Sequence, residues 1–136
     1  MMDKTDEKII EELKKDGRMT MKELGAHVHL TGQAAAARVL KLEDEGLIES
    51  YTVRVNEKKM GYPVHCFLNI YTDSLNHQPY FTFLENHPSF VRNNYKISGE
   101  GCYLLECRFP SNEVLDEWLV ELNQRVSYKL SIVIRS

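Results

Sequence analysis

Basic charge is not in excess in this sequence: 17 Lys and Arg stand against 20 Asp and Glu, a formal net charge of −3. A chain that held anionic polymers by its global field would look different, so any nucleic-acid contact has to come from a local patch. Neither half is better supplied. Residues 1–62 carry 11 Lys and Arg against 12 Asp and Glu, and residues 63–136 carry 6 against 8. The acidic residues of the first half are clustered, however, at Asp6, Glu7, Glu11 and Glu12 and again at Glu43–Glu45. Arg18, Lys22, Arg38, Lys41 and Arg54 remain available for a patch. Cysteine is scarce as well. Cys66, Cys102 and Cys107 have no metal-ligand spacing and, being three, cannot all pair. A reducing, cytoplasmic setting is the expectation. No signal peptide or long apolar span is visible, so no membrane segment is expected. The apolar fraction, 43%, is ordinary and suffices for one domain or two small ones in 136 residues.

The most informative stretch is Leu30–Ile48. Thr31 is a good N-cap, because its hydroxyl can accept from a free backbone N–H of the first turn. Four alanines follow, the residue that loses least on entering a helix, and Gly46 sits where a helix ends in a left-handed residue. At about 100° per residue Ala35, Val39 and Leu42 share one face, over whose end Leu47 and Ile48 are expected to close. Gln33, Ala34, Ala37 and Lys41 lie on the far side, with Arg38 on a flank. That side is small or polar, as a helix facing a DNA groove should be.

Two helices precede it. The first is predicted over Thr5–Asp16, capped by Thr5, with Ile9, Ile10 and Leu13 inward and Gly17 as its stop. The second opens on a capping box, Thr20-Met21-Lys22-Glu23, and turns Leu24 and Val28 inward. His27–Leu30 is then the turn of a helix-turn-helix. Past Gly46 the period changes to two. Tyr51, Val53 and Val55 alternate with Thr52 and Arg54, which predicts a strand over Ile48–Asn56, either a wing or a connecting ribbon. The charged run Asn56–Pro63, with its Gly and Pro, predicts the domain boundary. The expected division is a DNA-binding domain over 1–50, strand and hinge linker over 51–62, and a second domain over 63–136.

That second domain reads β-α-β-β-α-β. Strands are predicted at Val64–Tyr71, Phe90–Ile97, Tyr103–Phe109 and Val126–Ile134. Helices are predicted at Pro79–Asn86, with Phe81 and Leu84 inward, and at Ser111–Asn123, with Leu115, Trp118, Leu119 and Leu122 on one stripe. This is the ferredoxin-like plan, and the fold class is α+β. The strands look apolar on both faces, whereas two helices cover only one. The other face needs a partner, and an isologous homodimer is the economical solution.

At this point the residues resemble a known family. Asp6, Ile10, Leu13 and Asp16-Gly17-Arg18, then Glu23-Leu24, Leu30-Thr31, Arg38-Val39, Leu42-Glu43, Gly46, Ile48 and Tyr51 are similar to the leucine-responsive/asparagine-operon regulator (Lrp/AsnC) family. Lys59-Met60-Gly61-Tyr62 resembles its inter-domain hinge, and Ser98-Gly99 with Tyr103-Leu104-Leu105 resembles the signature turn of its ligand-sensing domain. The resemblance implies a bacterial or archaeal transcription regulator with an N-terminal winged helix-turn-helix. Its C-terminal domain would dimerise, assemble further to a tetramer or octamer, and sense an amino acid near the signature turn. The sequence departs from the pattern in three ways. Cys102 stands where amino-acid-responsive members usually have Asp, and a thiol does not engage an ammonium group as a carboxylate does. His29 stands in place of the usual turn glycine; His is among the residues that tolerate a positive φ. The sequence stops at Ser136, soon after the last strand, so a dimer is better founded than an octamer.

The candidate DNA-contacting residues are therefore Lys22, Thr31, Gly32, Gln33, Ala34, Ala37, Arg38, Lys41 and Arg54. Gln33 is suited to grip adenine in two hydrogen bonds. Arg38 could hold a phosphate, or pair with Glu43 or Asp44. With few long polar side chains, DNA shape should carry much of the recognition. The candidate effector residues are Gly99, Glu100, Gly101, Cys102 and Tyr103, with Glu100 the leading polar group. His27 and His29 lack a third ligand, so no metal and no cofactor is expected. Cys66 and Cys107, in mid-strand, should act as small hydrophobes. The expected partners are double-stranded DNA, a second copy of the chain and a small-molecule effector. The rival readings are a chromosome-organising protein with little sequence preference and, more remotely, a haem-pathway decarboxylase of related architecture.

Overall fold

The computed structural model describes residues 2–136, which form a helical unit ending at Arg54 and an α+β unit from Val55 to Ser136. The helical unit consists of α1 (Lys4–Lys15), α2 (Met21–Val28) and α3 (Gly32–Asp44). Ile9, Leu24, Val28, Ala35, Val39 and Leu42 form its core, with Ile10, Leu13 and Ile48 packed against it. α1 does not begin at Thr5. Its N-cap is Asp3, whose carboxylate accepts from Asp6 N at 2.8 Å while that of Asp6 accepts from Asp3 N at 3.1 Å. Two carboxylates at the positive end of the helix dipole outdo one hydroxyl two residues later. The box at α2 is present as read: Glu23 N donates to Thr20 Oγ1 at 3.1 Å and Thr20 N to Glu23 Oε1 at 3.4 Å.

His29 adopts the left-handed conformation, φ 61°. Gly46 follows α3 with φ 77°, and Leu47 N and Ile48 N both donate to Leu42 O, at 3.0 and 3.1 Å. Of these two residues only Ile48 packs on the core; Leu47 is exposed, so it does not close the helix end. The predicted strand over 48–56 is absent. The segment has no ladder partner, and Tyr51, Val53 and Val55 are exposed, Val53 by 78%. Alternation encodes a strand's two faces but cannot supply the neighbour that its N–H and C=O groups require.

The second unit holds β1 (Val64–Tyr71), α4 (Gln78–Glu85), β2 (Val91–Lys96), β3 (Tyr103–Phe109), α5 (Asn112–Leu122) and β4 (Ser127–Ile132). The sheet order is β2-β3-β1-β4, antiparallel throughout, the ferredoxin-like arrangement. Cys66, Leu68 and Ile70 of β1 and Tyr103, Leu105, Cys107 and Phe109 of β3 are buried in one core with the inner faces of α4 and α5. The inward residues of α4 are Tyr80, Phe83 and Leu84, and Phe81 is only partly buried. Tyr80 can turn inward because its hydroxyl donates to Asn94 Oδ1 at 2.7 Å. Cys66 and Cys107 face each other across the central ladder, and burial pushes the Cys66 thiol up to about 11.

The uncovered sheet face is more polar than expected. His65, Asn69, Glu106 and Arg108 alternate with the buried set, alongside apolar Phe67 and Leu104. His65 Nε2 and Glu106 Oε2 are 2.6 Å apart, and Asn93 Nδ2 donates to Glu106 Oε1 at 2.8 Å. The ladder slips at Arg92, which has no partner on β3. Its freed side chain donates to Glu57 through Nε at 2.5 Å and Nη2 at 3.1 Å. Glu57 belongs to a single helical turn in which Lys59 N donates to the Asn56 side chain at 3.1 Å and Tyr62 N to Glu57 O at 2.9 Å. The run read as a hinge is thus an ordered turn pinned to its own sheet.

Candidate nucleic-acid interface

The surface of α3 is built by three constraints. Thr31 Oγ1 accepts from Ala34 N at 3.1 Å and fixes the start of the helix. Ala35, Val39 and Leu42 fix its buried side. Gly32 packs against α2, where a Cβ would make van der Waals contact with Lys22 Cα and N at 3.4 Å. What remains outward is Gln33, Ala37, Leu40 and Lys41, with Ala34 half-buried between them. Leu40, 57% exposed, was missed by the sequence reading although its spacing from Gln33 and Ala37 puts it on their face. Lys22 is exposed in the first turn of α2, behind Gly32. Lys41 is nearly free, with Glu45 no closer than 4.0 Å.

Two candidates are placed differently from the rest. Arg54 lines a groove of about 840 Å³ with Ile10, Leu13 and Lys14 of α1 and Tyr51, and Gln33 and Lys41 are not in its lining. Arg38 pairs with neither Glu43 nor Asp44. Its Nη1 donates to Asp3 at 2.6 Å and to Asp6 at 3.2 Å, reaching across to the start of α1. Sequence gave no sign of this, because the partners are more than thirty residues away. His27 faces Glu12 at 3.9 Å. Among the described residues no group of three His, Cys, Asp or Glu is placed to hold a metal, and no helix is long and apolar enough to cross a membrane.

In the second unit the turn Ser98–Cys102 is seated on the end of β1. Cys102 N donates to Ile70 O at 2.6 Å, and Asn69 Nδ2 donates to Glu100 O at 2.9 Å. Gly101 has φ 95°, and a Cβ there would lie 2.6 Å from Ile70 O, so only glycine fits. Gly99 is open to solvent. The Glu100 carboxylate accepts from the Tyr71 hydroxyl and faces Lys129 Nζ at 3.4 Å. Those two partners, Tyr71 first, hold it below the usual carboxylate range. Tyr103 is buried beside Tyr80 and Phe81, its hydroxyl 2.7 Å from His77 Nδ1. Asn69, Tyr71, His77 and Lys129 were not among the expected residues. The sheet register, which sets Asn69 opposite Lys129, brings the strand residues Asn69, Tyr71 and Lys129 to the turn.

A helix-turn-helix with an exposed small-and-polar third helix, on one chain with a βαββαβ unit, defines a DNA-binding transcriptional regulator. A family model described as a winged helix-turn-helix DNA-binding domain matches residues 2–49. The chain is 55% identical over 134 residues to the HTH-type transcriptional regulator LrpA of Bacillus subtilis, covering 98% of each chain. It is 33% identical over 134 residues to LrpB of the same organism, covering 98% of this chain and 89% of the other. Among solved structures, B. subtilis LrpC superposes with a TM-score of 0.91 at 29% identity, covering 100% of this chain and 96% of that one. A feast or famine regulatory protein from M. tuberculosis, complexed with L-methionine, superposes with a TM-score of 0.85 at 28% identity, covering 100% and 94%. The chain belongs to the Lrp/AsnC family of transcriptional regulators.

Proposed function

We propose that this regulator works as a cytoplasmic homodimer that presents two copies of α3 to the DNA major groove, without catalysis. The observation that carries this is the exposed row Gln33, Ala37 and Lys41 on a helix whose pose is fixed by its cap and core. Gln33 reads a base edge. Lys22 and Lys41, with backbone groups of Thr31 and Gly32, hold phosphates, and Ala34 and Ala37 lie against the groove floor. Arg54 adds a phosphate contact from outside the helix. Dimerisation uses the sheet face that no helix covers, where Phe67 and Leu104 are flanked by the His65–Glu106 pair. A dimer sets the spacing of two half-sites.

The test is a binding titration with the duplex upstream of the chain's own gene against unrelated duplex of equal length, with and without a Gln33→Ala, Lys41→Ala double substitution. The reading requires preference for the upstream duplex and its loss in the double variant. Equal binding to both duplexes by the parent would favour the chromosome-organising alternative, which the alanine-rich α3 supports.

The second unit is the effector domain, with Gly99, Glu100, Gly101, Cys102 and Tyr103 as the sensing turn and an amino-acid-like molecule as its ligand. The methionine complex of the mycobacterial relative supports that class of ligand. Thermal-shift screening of the intact protein against the amino acids, followed by sizing of each hit, tests it. No shift with any of them would reject it.

A further inference from the structure

The side chain that ties α3 to α1 is Arg38, whose partners are Asp3 and Asp6. Asp3 and Asp6 each use one carboxylate oxygen on the other's backbone N–H, at 2.8 and 3.1 Å. Their remaining oxygens accept from the single atom Nη1 of Arg38, at 2.6 and 3.2 Å. Every oxygen of the two carboxylates therefore has a donor. Among the described residues Asp6 is the one charged side chain that is buried, 3% exposed. Asp3 is more than half exposed, so its share of the pairing is weak. The Asp6 share is not. Stripping the partner from a buried charge shifts a folding equilibrium by roughly a hundred-fold or more. A charge-assisted hydrogen bond to a phosphate returns about ten- to a hundred-fold. The exchange is unfavourable, and the guanidinium stays on α1.

We infer that Arg38 is a positioning residue for DNA recognition and not a phosphate contact: it sets the rotation of α3 about its own axis. The inference rests on α3 being the DNA-reading helix. Gln33 lies five residues before Arg38 and Lys41 three after it, so a rotation permitted by loss of the tether would misdirect both. Arg38 anchors the helix flank and adds a directional restraint on rolling to those of the Thr31 cap and the apolar face. The net charge of the Asp3–Asp6–Arg38 group is −1, which also makes it a poor place for a phosphate.

The experiment compares the intact parent with Arg38→Gln, Asp6→Asn, Asp6→Asn/Arg38→Gln and Lys41→Ala. Each is titrated with the duplex upstream of its own gene and with unrelated duplex, at several salt concentrations and well below the melting temperature. Lys41→Ala should flatten the slope of log affinity against log salt by about 0.9, the signature of one lost phosphate contact. Arg38→Gln should weaken upstream binding about ten-fold or more, leave the salt slope unchanged and lower the preference over unrelated duplex. The paired substitution removes the buried charge with its partner and should recover stability relative to Arg38→Gln, but it still lacks the tether and should bind the upstream duplex as weakly as Arg38→Gln. A slope flattened by Arg38→Gln, parent-like binding by Arg38→Gln, or a folded double variant that binds the upstream duplex like the parent would each overturn the inference. If Arg38→Gln loses its helical signal, the double variant decides alone by the same criteria. Failure of the α3 reading is distinguished by Lys41→Ala and Gln33→Ala, which would then bind like the parent.

Discussion

Replacing Gly25 by alanine sets two effects of known size against each other. Gly25 lies within α2, where alanine is favoured over glycine by about 0.8–1.0 kcal/mol. On propensity alone the change stabilises. The added Cβ, however, would lie 2.4 Å from Leu30 O, 3.0 Å from Thr31 O and 3.1 Å from Thr31 C. Those are backbone atoms of the turn into α3, not the movable end of a side chain. Gly25 O also accepts from His29 N and, at 2.8 Å, from Leu30 N, so the turn cannot retreat without straining both bonds. Forcing a methyl into packed surroundings costs about 1–3 kcal/mol, occasionally more. A 2.4 Å approach to backbone puts this case in the upper part of that range, so the steric effect wins and the expected net loss is about 1–2 kcal/mol, falling on the helical unit. Urea unfolding followed by far-UV circular dichroism reads it, because most helical residues are in α1, α2 and α3. The single tryptophan, Trp118, is buried in the second unit, so its fluorescence transition should stay in place. DNA affinity should fall as well, since the turn aims α3. A neutral or stabilised Gly25→Ala variant, or one whose Trp118 transition moves as far as its helical one, would refute the reasoning.

Three further outcomes follow from the same geometry. Gly101→Ala should cost the second unit about 2–4 kcal/mol, combining a positive φ with a clash on Ile70 O, while Gly46→Ala, with positive φ but open space, should cost the helical unit only about 1–2 kcal/mol; urea midpoints by Trp118 fluorescence and by circular dichroism measure the two. His29→Gly should leave the helical unit unchanged or stabilise it by up to about 1 kcal/mol, because relief at φ 61° slightly exceeds the entropy glycine loses on folding; calorimetry on the intact protein checks the sign. Glu57 is held below its ordinary value of 4.5, first by its hydrogen bonds from Arg92. Its folded value lies under its unfolded one, so the stability it contributes is present above the ordinary carboxylate range and is lost as pH falls through the folded value. Acid unfolding of the second unit, followed by Trp118 fluorescence, should therefore be steeper below about pH 5 in the parent than in Glu57→Gln.

Much of this molecule was written locally. The Thr20–Glu23 box, the Thr31 cap, the left-handed His29, the spans of β1 and β3 and the apolar stripe of α5 each depend on residues within a turn or a pleat of one another. Interactions of that range act in any chain with the same few residues, so the sequence alone determined them. It also determined the α3 surface up to Leu40, whose place follows from the helical period. Other features depended on partners that sequence distance conceals. Arg38 finds Asp3 and Asp6 across the helical unit, Arg92 finds Glu57 because a bulge frees it, and Glu100 meets Tyr71 and Lys129 because β1 lies between β3 and β4. Residues 51–56 show the opposite case, a pattern fit for a strand with no strand beside it. Periodicity fixes which way a side chain points, and only the tertiary structure decides what stands there to meet it, because charges and unpaired backbone groups are satisfied by proximity in space.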